Sequence, residues 1–117
     1  MASAVEPRSL KQLLQYEGPS AFYEDRFLAM IEDHLPILRL GSTELRIEPN
    51  TAEKYRGDFY GVMTHASIPS QYWYVTMRIN GLTSPIEYET SMELFYVPDY
   101  NYIEKLRSTY MTLQRIS

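Results

Sequence analysis

At 117 residues, 44% of them hydrophobic, the chain is long enough to bury one core and too short for two domains of ordinary size. Fifteen acidic against eleven basic residues leave a formal charge of −4 without any block of like charge, which argues against nucleic acid as a partner because phosphate binding needs a basic face. The absence of cysteine excludes a disulfide framework, a thiolate zinc site and a thiol nucleophile, and no apolar run approaches the roughly 20 residues that span a bilayer.

In chain order, Leu10, Leu13 and Leu14 fall at helical spacing within residues 8–16, and Glu17-Gly18-Pro19 stops the pattern. Ser20 is a candidate cap for a second helix, with Glu24 and Asp25 near its positive end and Tyr23, Phe27, Met30 and Ile31 as its apolar stripe. Pro36 is expected to end it shortly after His34. From Ile37 to Glu48 the pattern turns to period two, through Ile37, Leu38 and Leu40 and then Leu45 and Ile47, with Gly41-Ser42 as a hairpin turn or kink. Pro49-Asn50-Thr51 closes that segment, and a polar run to Arg56 follows. Between Ser70 and Asn80 the local signals conflict. Tyr72 to Thr76 favour a strand, which would make Asn80-Gly81 a hairpin turn, whereas Ser70 and Asn80-Gly81 are also good helix caps. Residues 93–97 read as a strand ended by Pro98, and Ile103, Leu106, Tyr110 and Leu113 mark a C-terminal helix.

The run Gly57-Asp58-Phe59-Tyr60-Gly61-Val62-Met63 resembles the "GDTLYGIA" opening of a LysM domain. Later residues keep the family's order: Ile68-Pro69 where the first helix is left, Trp73 to Ile79 as the apolar second helix, Arg78-Ile79-Asn80-Gly81-Leu82 like its "RLNGL" ending, and Ser84-Pro85-Ile86, then Met92 to Pro98, like the closing strand. The resemblance covers residues 43–98. It implies an α+β chain with a LysM-like β-α-α-β core, a helical N-terminal arm over residues 1–42 and a short C-terminal helical tail over residues 99–117. It also implies that 70–80 is helical and that 44–48 and 93–97 pair as antiparallel strands. Phe59 stands where carbohydrate-binding members have threonine, and Ser91 where they have glycine. The run from Pro69 and Tyr72-Trp73 through Asn80-Gly81 to Pro85 further resembles small tail proteins and baseplate wedge proteins of contractile-tailed bacteriophages, where such a domain clamps neighbouring subunits.

That resemblance implies a structural virion protein of a tail baseplate, made in a host cytoplasm, contacting other tail proteins in a symmetric assembly. No membrane or nucleic acid is expected as partner, no cofactor or metal, and no enzymatic activity. The alternative is a peptidoglycan-binding module, whose glycan groove would involve Asp58, Phe59, Tyr60, Thr83, Ser84 and Pro85. Eleven tyrosines suit core edges and interfaces equally. Tyr16, Phe22, Tyr23 and Phe27 in the first arm and Tyr100, Tyr102 and Tyr110 in the second are the candidate partner interface, because a two-stranded domain has little surface with which to cover them. Catalytic groups are scarce. His34 and His65 are the only imidazoles and read as structural, while Glu87, Glu89 and Glu93 lack any sign of the raised-pKa acid a glycosidase requires.

Overall fold

The computed structural model describes residues 20–89 and 92–116; the helix expected over 8–16, with Tyr16, lies outside them, as does Ser91. Among the described residues six α-helices accompany one two-stranded antiparallel sheet, an α+β arrangement.

A 3-10 turn, Ser20–Tyr23, leads into α1, Asp25–Asp33, so Tyr23 precedes the helix and the extended Glu24, rather than Ser20, is its N-cap. His34 leaves helical geometry, but the chain re-enters a helix at once: α2 spans Leu35–Leu40. The strand expected from Ile37 is therefore replaced by a helix. Pro36 sits in its first turn, where a missing N–H costs nothing, and burial of Leu35 and Leu38, three residues apart, sets a helical rather than a twofold period. The strand β1, Thr43–Arg46, follows. The polar run after it is also helical, as α3, Pro49–Lys54, with proline again in the first turn and Ala52 fully buried.

Gly57 at φ +74° makes the turn into α4, Phe59–His65, and the Asp58 carboxylate caps that helix by accepting from Gly61 N–H at 3.0 Å. After a 3-10 turn at Ser70–Tyr72 comes α5, Trp73–Ile79. Its end is a Schellman motif: Gly81 at φ +80° donates to Arg78 C=O, and Leu82 N–H reaches back to Met77 C=O at 3.1 Å. No hairpin forms at Asn80-Gly81. Burial of Val75, Thr76, Met77 and Ile79 outweighs the strand propensity of Tyr72 to Thr76. A further 3-10 turn, Pro85–Glu87, precedes β2, Leu94–Val97, and α6, Tyr100–Ile116, closes the described chain. The strands pair Thr43 with Val97, Glu44 with Tyr96, Leu45 with Phe95 and Arg46 with Leu94.

Two aromatic groups organise the core. Under the sheet, fully buried Phe59 lies 5.4 Å from Tyr88 and 5.3 Å from Phe95, centroid to centroid. On the other side Phe22 meets Phe27 and Tyr72 edge-on, each at 5.7 Å, Phe27 meets Tyr110, and Tyr72 stacks on Tyr100 at 4.2 Å. Burying each such ring is worth about 1.5–3 kcal/mol. Polar ties join the same elements: Tyr72 donates to Glu104 at 2.7 Å, and Tyr110 to Glu24.

The described parts of the two arms are thus built into the fold. Phe22, Tyr23, Phe27 and Tyr110 are between 0% and 4% exposed, so the chain itself covers the aromatics expected to need other chains. The sequence count missed this because arms and core cover each other.

Candidate interaction surface

The strongest polar construction fastens the first arm to α5. Glu32 on α1 accepts from Arg78 Nε at 2.7 Å, from Arg78 Nη2 at 3.0 Å and from the Tyr74 hydroxyl at 2.7 Å. The Arg78 hydrogen bond is the first cause holding the Glu32 carboxyl below the ordinary range, against a burial effect that raises it. Burial, then the bond to Glu32, pushes the Tyr74 phenol up to about 12. Arg39 on α2 completes the joint, donating from Nε to Ile79 C=O at 3.1 Å and from Nη2 to Arg78 C=O at 3.3 Å. Those carbonyls belong to the last turn of α5, where a cation is favoured.

The joint holds α2 so that Leu35 and Leu38 face inward while Ile37 and Leu40 stand 53% and 88% exposed. Two shallow concavities are lined in part by residues of α2. One is lined by Ile37, Leu38, Gly41, Asp99 and Tyr102, the other by Arg39, Ser42, Ile79 and Tyr96. Tyr96 is itself 39% exposed. Aliphatic side chains left in water on a firmly seated helix, beside two tyrosines, form the surface best suited to a protein partner. Elsewhere among the described residues the exposed large apolar side chains are Ile86, alone on its turn, and Met111 and Leu113 on α6.

Of the aromatics expected at an interface, only Tyr100 and Tyr102 keep partial exposure among the described residues. Tyr100 is committed to its stack on Tyr72, and Tyr102 borders the ridge. The twofold pattern that begins at Ile37 hides Ile37 and Leu40 as a surface, because it places them in a strand. The signal that finds them is Leu35 with Leu38 around Pro36, a helical pair that puts Ile37 and Leu40 outside.

The residues of the alternative glycan groove lie near one another, with Gly57 N–H donating to Tyr88 C=O at 2.8 Å across the two turns. Their functional groups are mostly committed to the chain. Asp58 caps α4, Phe59 is core, and Tyr60 stacks on Trp73 at 5.1 Å. Thr83 donates from N and Oγ1 to Glu87, Ser84 Oγ accepts from Ile86 N–H, and Pro85 opens a 3-10 turn. The Tyr60 hydroxyl is buried without a hydrogen-bond partner among the described residues, and burial pushes it up to about 12.

Groups with catalytic potential are similarly engaged. His34 Nδ1 donates to Met30 C=O at 2.7 Å, and His65 lies beside the Tyr55 ring. Glu87 is held below the ordinary carboxylate range, first by the Thr83 hydroxyl and then by the Thr83 backbone, the opposite of what a glycosidase acid requires. Among the described residues no cluster of three or more His, Asp or Glu side chains is placed to hold a metal ion, and no helix is long and apolar enough to cross a membrane. No family model, no curated protein and no solved structure matches the chain.

Proposed function

We propose that the chain is a structural adaptor of a contractile phage tail baseplate, a LysM-like core whose first arm carries the contact surface for neighbouring subunits. The element order supports the core reading: β1, α4, α5 and β2 follow one another as the resemblance implies, with α3 added in the first connection. Asp58 as helix cap and Gly81 as helix terminator act where the family's motifs put them.

The observation that carries the adaptor reading is the ridge of Ile37 and Leu40 on α2. Burying what Ile37 and Leu40 still expose against a partner is worth roughly 2–4 kcal/mol, and Arg39 holds their helix in place before any partner arrives, which lowers the ordering cost of binding. Nothing comparable favours wall binding, whose candidate aromatic and hydroxyl groups are turned to internal use.

The test is complementation of a phage deleted for this gene, followed by mass spectrometry of purified tails. The wild-type chain is expected in fixed copy number with baseplate proteins. Ile37→Glu/Leu40→Glu, which changes only exposed side chains, is expected to fold and fail to incorporate. Incorporation of that variant at wild-type level refutes the role of the ridge. Saturable binding of muropeptides by the purified protein refutes the architectural reading.

A further inference from the structure

The sheet has two outer edges, and the chain treats them differently. Along β2 the backbone groups of Tyr96 point away from β1, and the Asn80 carboxamide engages both: it accepts from Tyr96 N–H at 2.7 Å and donates to Tyr96 C=O at 2.8 Å. A side chain standing in for a strand residue blocks pairing along that edge at Tyr96. Along β1, Ile47 N–H donates to Glu93 C=O, so odd-numbered residues turn their backbone groups to β2 and Glu44 and Arg46 turn theirs outward. Neither has a backbone hydrogen-bond partner on that side among the described residues, and both are exposed.

We propose that this open edge pairs with the β1 edge of a second copy, antiparallel across a twofold axis at Leu45, joining the two sheets into one. The charges carry the choice of occupant and of register. Ladder bonds form only when outward-facing residues stand opposite one another, so the axis falls at Glu44, Leu45 or Arg46. An axis at Glu44 opposes that carboxylate to its own copy, and an axis at Arg46 does the same to the guanidinium. At Leu45 each Glu44 stands opposite the other copy's Arg46, and each such pair exchanges both N–H···O bonds while matching charge. An edge defended by charge carries one sign, so that all registers repel. This edge alternates, repelling itself in the wrong registers and attracting itself in one. The pairing needs no phage partner and stands apart from the adaptor reading.

Sedimentation equilibrium of the full chain up to about 1 mM, a range that detects weak dimers, is expected to show monomer and dimer. Glu44→Arg gives a strand with two cations and Arg46→Glu one with two anions. Each alone is expected to associate roughly tenfold or more weakly, because favourable cross-strand pairs become repulsive ones. An equimolar mixture is expected to recover dimer, since every cation then faces an anion. Thermal melts of the single variants check that each is folded. In the wild-type dimer the Glu44 and Arg46 amides are expected to exchange slowly. A chain monomeric throughout, single variants that associate like wild type, folded variants whose mixture does not recover, or a dimer in which those amides stay fast each overturns the proposal.

Discussion

Replacing Glu32 with alanine removes the acceptor of three hydrogen bonds, two from Arg78 and one from Tyr74, and so tests how firmly the first arm belongs to the fold. The Glu32 and Arg78 side chains are 35% and 20% exposed. At an effective dielectric of 20, opposite charges at close range attract by about 4 kcal/mol, and desolvation takes back roughly half. The orphaned Tyr74 hydroxyl adds about 1 kcal/mol, for a net loss of ~2–3 kcal/mol. At about 4 °C per kcal/mol for a chain of this size, the melting midpoint should fall by about 8–12 °C. The control is Glu53→Ala, which breaks a pair with Arg56 at 2.5 Å whose side chains are 59% and 63% exposed. That shorter but solvated pair should leave the melting midpoint almost unchanged, because water screens it. Acidity supplies a second check. The folded Glu32 pKa is depressed, so its contribution is full above the unfolded carboxylate range and is lost as pH falls through the folded value. The gap between wild type and Glu32→Ala in calorimetry or circular dichroism should therefore close in acid. Equal losses for the two variants, or a gap that persists in acid, would show that burial does not set the strength of this joint.

Phe59→Thr, which installs the residue of carbohydrate-binding LysM domains, should lower stability by about 3–5 kcal/mol through the cavity left between Tyr88 and Phe95 and should create no muropeptide affinity in calorimetry. Asn80→Ala should cost about 1–2 kcal/mol, from the lost clamp on Tyr96, and should speed exchange of the Tyr96 amide. With Tyr60 and Tyr74 pushed up to about 12, both phenols stay protonated in the fold while the unfolded chain ionises near pH 10; stability present below that pH should be lost between about pH 10 and 12, followed by tyrosinate absorbance and circular dichroism together. Gly81→Ala, at φ +80° with open space around a Cβ, should cost about 1 kcal/mol from backbone strain alone.

What was legible in the sequence was whatever depends on neighbouring residues. Asp58 before Phe59, Asn80-Gly81 after Ile79, and Leu94 to Val97 before Pro98 carry their caps and stops within a few positions, and the helix at α5 and the strand pairing follow the order that the resemblance implied. The six-residue α2 is hidden in the sequence because it is too short for a helical period to stand clear of a twofold one, and because Pro36 suits the end of one helix as well as the first turn of the next, where it sits. The aromatic arms were misjudged for a different reason. Counting Phe22, Phe27 and Tyr110 shows how much surface must be covered but not what covers it, and the answer, each other and Tyr72, spans most of the chain. The same distance in sequence hid the ridge, since the exposure of Leu40 depends on Arg39 reaching Ile79.

The joint between the first arm and α5 also orders events during synthesis. A ribosome delivers α1, α2 and β1 before every long-range partner that fixes them: Glu32 waits for Tyr74 and Arg78, Arg39 for the carbonyls of Arg78 and Ile79, and Thr43 to Arg46 for Leu94 to Val97. Each early helix is too short to persist alone in water. The emerging chain therefore carries Leu38 uncovered until α5 and β2 have left the exit tunnel, and Phe27 uncovered until Tyr110 on α6 has followed. Pausing of translation beyond the α6 codons favours closure; pausing before them prolongs the exposure of Phe27.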